Sequence, residues 1–181
     1  MTEPGQIPDQ AAREAAATTF DRNVVVIAGA GTGKTTLLVN RLLYLLMRRA
    51  DPLDLSRIVA LTFTNKAATE MKLRLRERLR SLLSLEGRDS ATTGSGTVSM
   101  ADLRLRFGWT TDEVVARAET ALRDIEKAQI GTLHSFAAHL LRLYPIEAGV
   151  SPTFQTDEDG SRFEEHFTGE WELWLDRELG S

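Results

Sequence analysis

The chain has 181 residues, with 22 basic against 26 acidic side chains, a formal charge of −4, and no cysteine. No disulfide framework or thiolate metal site is therefore available, and the three scattered histidines, His134, His139 and His166, do not suggest zinc. The start of the chain lacks a basic region followed by an apolar core, and the apolar stretch 37–47 is broken by Asn40 and Arg41, so neither a signal peptide nor a membrane span is expected and a cytoplasmic protein is the default. In chain order, residues 9–19 read as an Ala-rich helix and Val24-Val25-Val26-Ile27 as a buried strand. A glycine-rich turn follows, then a helix over 37–47 closed at Asp51-Pro52. A second strand, parallel to the first, is expected over 57–62. The helix over 67–83 carries Ala67, Met71, Leu75 and Leu79 at four-residue spacing. The Gly, Ser and Thr content of 86–110 marks a flexible insertion. A helix over 111–127 turns Val114, Val115, Ala118, Leu122 and Ile125 inward, and a third strand over 129–133 precedes a helix over 135–143. From 159 a terminal amphipathic helix lines up Phe163, Phe167, Trp171, Leu175 and Leu179, thickened by Trp174. The alternation of strands and helices predicts an α/β domain with a mostly parallel sheet.

Charge is unevenly spread. Residues 57–88 hold eight basic side chains against three acidic, whereas 155–181 hold nine acidic against Arg162 and Arg177. A basic helix is most often only a solvated face, and contact with DNA is the alternative.

The turn Ala28-Gly29-Ala30-Gly31-Thr32-Gly33-Lys34-Thr35, between the first strand and Thr36, has the composition of a phosphate-cradling P-loop. Glycines allow backbone angles that gather several N–H groups on one nucleotide's phosphates, and the helix N-terminus adds partial positive charge. Lys34 would neutralise the β- and γ-phosphates of ATP, and the Thr35 hydroxyl would ligate Mg2+. The usual first glycine is Ala28. At the ends of the next two strands, Thr62, Phe63, Thr64 and Asn65, then Thr132, His134, Ser135 and Phe136, combine hydroxyls, an amide and rings. Such a shelf could hold phosphates while rings meet bases. The alternative, in which Phe63 and Phe136 are core and the hydroxyls cap helices, stays open.

Together, the runs 24–36, 61–71 and 131–136 resemble motifs I, Ia and Ib of superfamily 1 DNA helicases of the UvrD/Rep type. The continuation 137–149 is most similar to the RecB and AddA helicase–nuclease subunits. The resemblance covers residues 7–158. It implies a P-loop NTPase of RecA-like fold, a parallel sheet flanked by helices, that translocates 3′ to 5′ on single-stranded DNA at the expense of ATP with Mg2+, in DNA repair or recombination. It also matches Gln10 to the family's adenine-reading glutamine, although Ile7-Pro8-Asp9-Gln10 departs from the family pattern.

A motor needs a second acidic motif at a strand end and arginines from a second domain. Asp157-Glu158 offers a poor strand and is read as a loop. The expectation is therefore an incomplete domain. Residues 1–158 would form the front of the first motor domain and 159–181 would lead towards a missing subdomain, in an expressed fragment or a truncated gene product. Its partners would be single-stranded DNA, the remainder of the helicase and a nuclease partner. The alternative is a nucleotide- or DNA-binding module without turnover, and a P-loop kinase is a weaker third.

Overall fold

The computed structural model describes residues 9–48, 53–84, 97–157 and 160–179. The chain divides into two compact units, one running to Leu133 and one from His134. In the first unit, helix α1 (Gln10–Thr18) is followed by α2 (Lys34–Leu46), strand β1 (Val59–Thr62), α3 (Asn65–Leu83), α4 (Met100–Phe107), α5 (Thr111–Arg123) and strand β2 (Gln129–Thr132). Helix α6 (Leu133–Leu143) begins at the boundary, and α7 (Pro145–Ala148) and α8 (Ser161–Leu179) complete the second unit. The two strands pair in parallel, with Val59 opposite Gln129 and Thr62 opposite Thr132. The protein is thus α/β, with a small parallel sheet and surrounding helices.

The core of the first unit follows helical periodicity. Met71, Leu75, Leu79 and Leu82 form one buried face of α3, which packs chiefly on α5 and also on β2 and α2. Val114, Ala118 and Ile125 are buried as their spacing predicts, with Val115 and Leu122 packed beside them. The C-terminus of α2 is closed from a distance: Arg117 Nε donates to Leu46 O at 2.5 Å and Trp109 Nε1 to Met47 O at 2.7 Å. These donors satisfy carbonyls that a helix end leaves without partners.

The structure corrects three expectations. The run 24–27 is no strand. Among the described residues only β1 and β2 form a ladder, and Val25 and Ile27 are 87% and 96% exposed. A strand exists through its neighbours, and none of the described residues pairs with this run. The strand expected over 57–62 begins only at Val59, because Leu55–Arg57 forms a 3-10 turn. The expected flexible insertion 86–110 falls in part on 86–96, outside the described residues. Its remainder contains α4, with Met100 and Leu103 buried in the core. A reciprocal capping box starts α4: the Asp102 N–H donates to Ser99 Oγ at 3.1 Å and the Ser99 N–H to Asp102 Oδ2 at 2.9 Å. Gly108, at φ 65°, ends it.

In the second unit, Asp157 lies in a loop, as read from the sequence, while Glu158 lies outside the described residues. The Asp157 carboxylate accepts the Phe163 N–H at 2.8 Å and the Arg162 N–H at 3.4 Å, and so caps the first turn of α8. Along α8, Phe163, Phe167, Trp171 and Trp174 stack in series, with ring centroids 6.0, 6.1 and 5.1 Å apart. No residue of α8 is buried.

Candidate functional site

The glycine-rich turn delivers the chain into α2 through two left-handed residues, Gly31 at φ 74° and Gly33 at φ 85°. Only glycine adopts such angles without strain, so these two positions set the path of the loop. Gly33 is the residue immediately before α2, which places Lys34, Thr35 and Thr36 in the first helical turn. Their N–H groups lie at the helix end that attracts anions. Lys34 Nζ folds back on the loop and donates to Ala28 O at 3.0 Å and Gly29 O at 2.5 Å. Thr32 Oγ1 donates to Gly29 O at 2.8 Å. The Lys34 ammonium, a helix N-terminus and glycine backbone form a donor set whose chemistry suits a phosphate chain.

Gln10 stands at the start of α1 and lines a cleft of about 280 Å³ with Gly33, Thr36, Asn40 and Tyr44. The loop exit and Gln10 therefore share one cleft. Its far wall comes from α4: Arg106 is ion-paired to Glu14 and lies 5.3 Å from the Tyr44 ring centre. Burial pushes the Tyr44 phenol above its ordinary pKa, with Arg106 acting against that shift. A larger cleft of about 610 Å³ runs along the 24–28 segment and reaches Thr32, Gly33 and Lys34.

Sequence reasoning missed Arg13. Its Nε donates to Asp9 Oδ1 and its Nη1 to Thr32 O, both at 2.8 Å, so α1 grips the loop directly. The hydrogen bond from Arg13 holds the Asp9 carboxyl below its ordinary pKa, and the same bond raises that of Arg13. The available signal was spacing: Arg13 follows Gln10 by three residues, on the same helix face.

The strand-end residues divide between the two units. Thr62 and Thr132 are register partners, and Thr62 Oγ1 lies 3.5 Å from Gly131 O and donates to Thr64 O at 2.9 Å. Thr64 caps α3 by accepting the Ala67 N–H at 3.2 Å, as the capping alternative expects. Phe63 is 94% exposed, so its alternative reading as core does not hold. Asn65 is exposed at the start of α3, and Thr132 is buried. His134 and Ser135 are exposed and Phe136 half-buried in the first turn of α6, in the second unit.

The basic stretch is largely paired. Lys72 and Arg76 both reach Glu126, at 2.6 and 2.5 Å, Arg74 reaches Glu70 at 2.5 Å, and Arg78 donates to Thr97 at 3.2 Å. Among the described residues no group of three or more His, Asp or Glu side chains is placed to hold a metal ion. No helix among them is long and apolar enough to cross a membrane.

A glycine turn at a helix N-terminus, in the same unit as two parallel strands that end in hydroxyls, places the chain among α/β proteins with polar groups at loop and strand termini. Comparison with known proteins narrows that class. The chain belongs to the family described as UvrD/REP helicase N-terminal domain, which it matches over residues 9–173. It is 31% identical over 139 residues to an ATP-dependent helicase/nuclease subunit of Anoxybacillus flavithermus, covering 77% of this chain and 9% of that protein. The proteins of the same name from Desulforudis audaxviator and Bacillus mycoides are each 33% identical, over 147 and 134 residues. Those matches cover 81% and 74% of this chain, and 10% and 9% of the relatives. The chain thus spans about a tenth of the length of the curated relatives it matches.

Proposed function

We propose that this chain is the nucleotide-binding front of an ATP-dependent DNA helicase motor, a P-loop NTPase of RecA-like fold working in the cytoplasm. The observation that carries the reading is the loop: two left-handed glycines set Lys34, Thr35 and Thr36 at the N-terminus of α2. Residues 28–36 would hold the phosphates of ATP, with Lys34 exchanging its two carbonyl partners for phosphate oxygens and Thr35 offering its hydroxyl to Mg2+. Gln10, in the cleft beside the loop exit, would read the adenine edge through its amide. When bound, Mg2+ would offset phosphate charge.

For DNA, Thr62, Phe63, Thr64, Asn65 and Thr132 are the proposed contacts with single-stranded DNA in the first unit; His134, Ser135 and Phe136 are proposed separately as DNA contacts of the second unit. The exposure of Phe63 supports base stacking, since a ring open to solvent gains most from a base laid on it. In this reading residues 1–158 form the front of a first motor domain and 159–181 lead to a further subdomain. Movement from 3′ to 5′, a role in repair or recombination, and a nuclease partner belong to the same proposal, drawn from the family and from the names its relatives carry.

A second reading, a nucleotide- or DNA-binding module with no turnover of its own, is favoured by Asp157, which lies in a loop and caps α8 where a motor's second acidic motif would end a strand. Two experiments address these readings. Calorimetric titration with ATP and Mg2+ should give binding that Lys34→Ala weakens about ten- to a hundredfold, the worth of a charged hydrogen bond. Equal affinity in the variant would remove the loop as the site. ATPase assays with single-stranded DNA should show negligible turnover, and turnover abolished by Lys34→Ala would overturn the second reading.

A further inference from the structure

We propose that Arg13 is a positioning residue that ties the helix bearing Gln10 to the glycine loop, so that one unit meets both the base and the phosphates of a nucleotide. The proposal rests on the phosphate-loop reading above. A loop can turn several N–H groups towards an anion only if its carbonyls point elsewhere and are satisfied. Gly33 O accepts the Leu37 N–H of α2 at 3.0 Å, and three carbonyls ahead of it are held by side chains. Ala28 O and Gly29 O are held by Lys34, the group that must swing away to meet a phosphate, and Gly29 O also accepts from the Thr32 hydroxyl of the loop itself. Thr32 O is held at 2.8 Å by Arg13 Nη1, which belongs to another element and has no need to leave.

Two further contacts make this grip directional. Asp9 Oδ1 accepts from Arg13 Nε at 2.8 Å and fixes the plane of the guanidinium. The same Nη1 lies 3.4 Å from where a Cβ on Gly33 would stand, so the fork approaches the loop at its second left-handed glycine. Gln10 and Arg13, one turn apart on α1, both line the cleft beside the loop, and Arg13 also lines the larger cleft that reaches Lys34. A lysine would keep the charge but lose the fork, because a single ammonium cannot hold Asp9 and Thr32 in one plane.

The test titrates the whole chain with ATP and, separately, with tripolyphosphate, both with Mg2+. Arg13→Ala should weaken ATP binding about tenfold. It should also narrow the preference for ATP over tripolyphosphate, which a merely structural role would leave alone. Arg13→Lys should recover little of either, staying within about threefold of the alanine variant. If Arg13→Ala fails to fold, the lysine variant decides by itself. Wild-type affinity in Arg13→Lys would overturn the proposal, as would unchanged affinity in Arg13→Ala while Lys34→Ala loses binding. Undiminished binding in Lys34→Ala would instead bring down the loop reading, and this proposal with it.

Discussion

Glu126 shows how one side chain can hold two elements together. It lies in the turn after α5, and accepts from Lys72 and Arg76 on α3 at 2.6 and 2.5 Å. The hydrogen bond and charge of Lys72, reinforced by Arg76, hold its carboxyl below the ordinary value of 4.5. A depressed carboxylate pKa means that the folded chain prefers the charged form more than the unfolded chain does. The contribution is therefore complete above pH 4.5 and is lost as pH falls through the lower folded value. Glu126→Gln should lower the urea midpoint at pH 7, by a margin that shrinks as pH falls below 4.5. The effect should be small and salt-sensitive, because the carboxylate is 68% exposed. A gap that persists unchanged at low pH would show that packing, and not charge, makes the difference.

At the scale of elements, α3 carries the unit. It packs on α2, α5 and both strands, and its buried face contains Leu75 and Leu79 with no exposed surface. Leu73, two residues earlier, is half exposed. The same substitution at both positions separates packing from helix propensity, which changes equally. Leu75→Ala should cost about 2–5 kcal/mol in denaturant unfolding, and Leu73→Ala within about 0.5 kcal/mol of nothing. Equal losses would mean that α3 is not seated as described. Helix α4 teaches a different lesson. The Gly- and Ser-rich composition ahead of it conceals a start signal that was present, Ser99 followed three residues later by Asp102 and then by Leu103.

At the scale of the molecule, the apolar stripe of α8 stands out. Trp171 and Trp174 stack on one another yet remain 47% and 44% exposed, within a helix that buries nothing. Contiguous exposed rings favour association. The chain should sediment as concentration-dependent oligomers, and Trp171→Glu combined with Trp174→Glu should restore the monomer. A parent that stays monomeric at all concentrations would sink this expectation. Much of the architecture was legible in the sequence because it is local: glycines at the loop, four-residue spacing in α3 and α5, the hydroxyls that end β1 and β2. What was not legible depends on distant partners. The 24–27 run has strand composition but, among the described residues, no neighbour with which to pair. The role of Arg13 depends on a carbonyl nineteen residues away, and the closure of α2 depends on Arg117, seventy-one residues beyond the carbonyl it caps.

The unpaired 24–27 run has a thermodynamic consequence for the loop that follows it. On one side the loop is continuous with a packed helix, and on the other it hangs from backbone that no ladder among the described residues holds. Any strand that zipped along this run would restrict the loop's freedom before a ligand arrived, and the ligand would then lose less entropy on binding. Linkage makes the relation reciprocal: whatever factor strand addition lends to phosphate affinity, phosphate lends to strand addition. If the loop binds phosphate as proposed, the exposed valines are a handle on it, through which strand addition and ligand binding would each set the strength of the other.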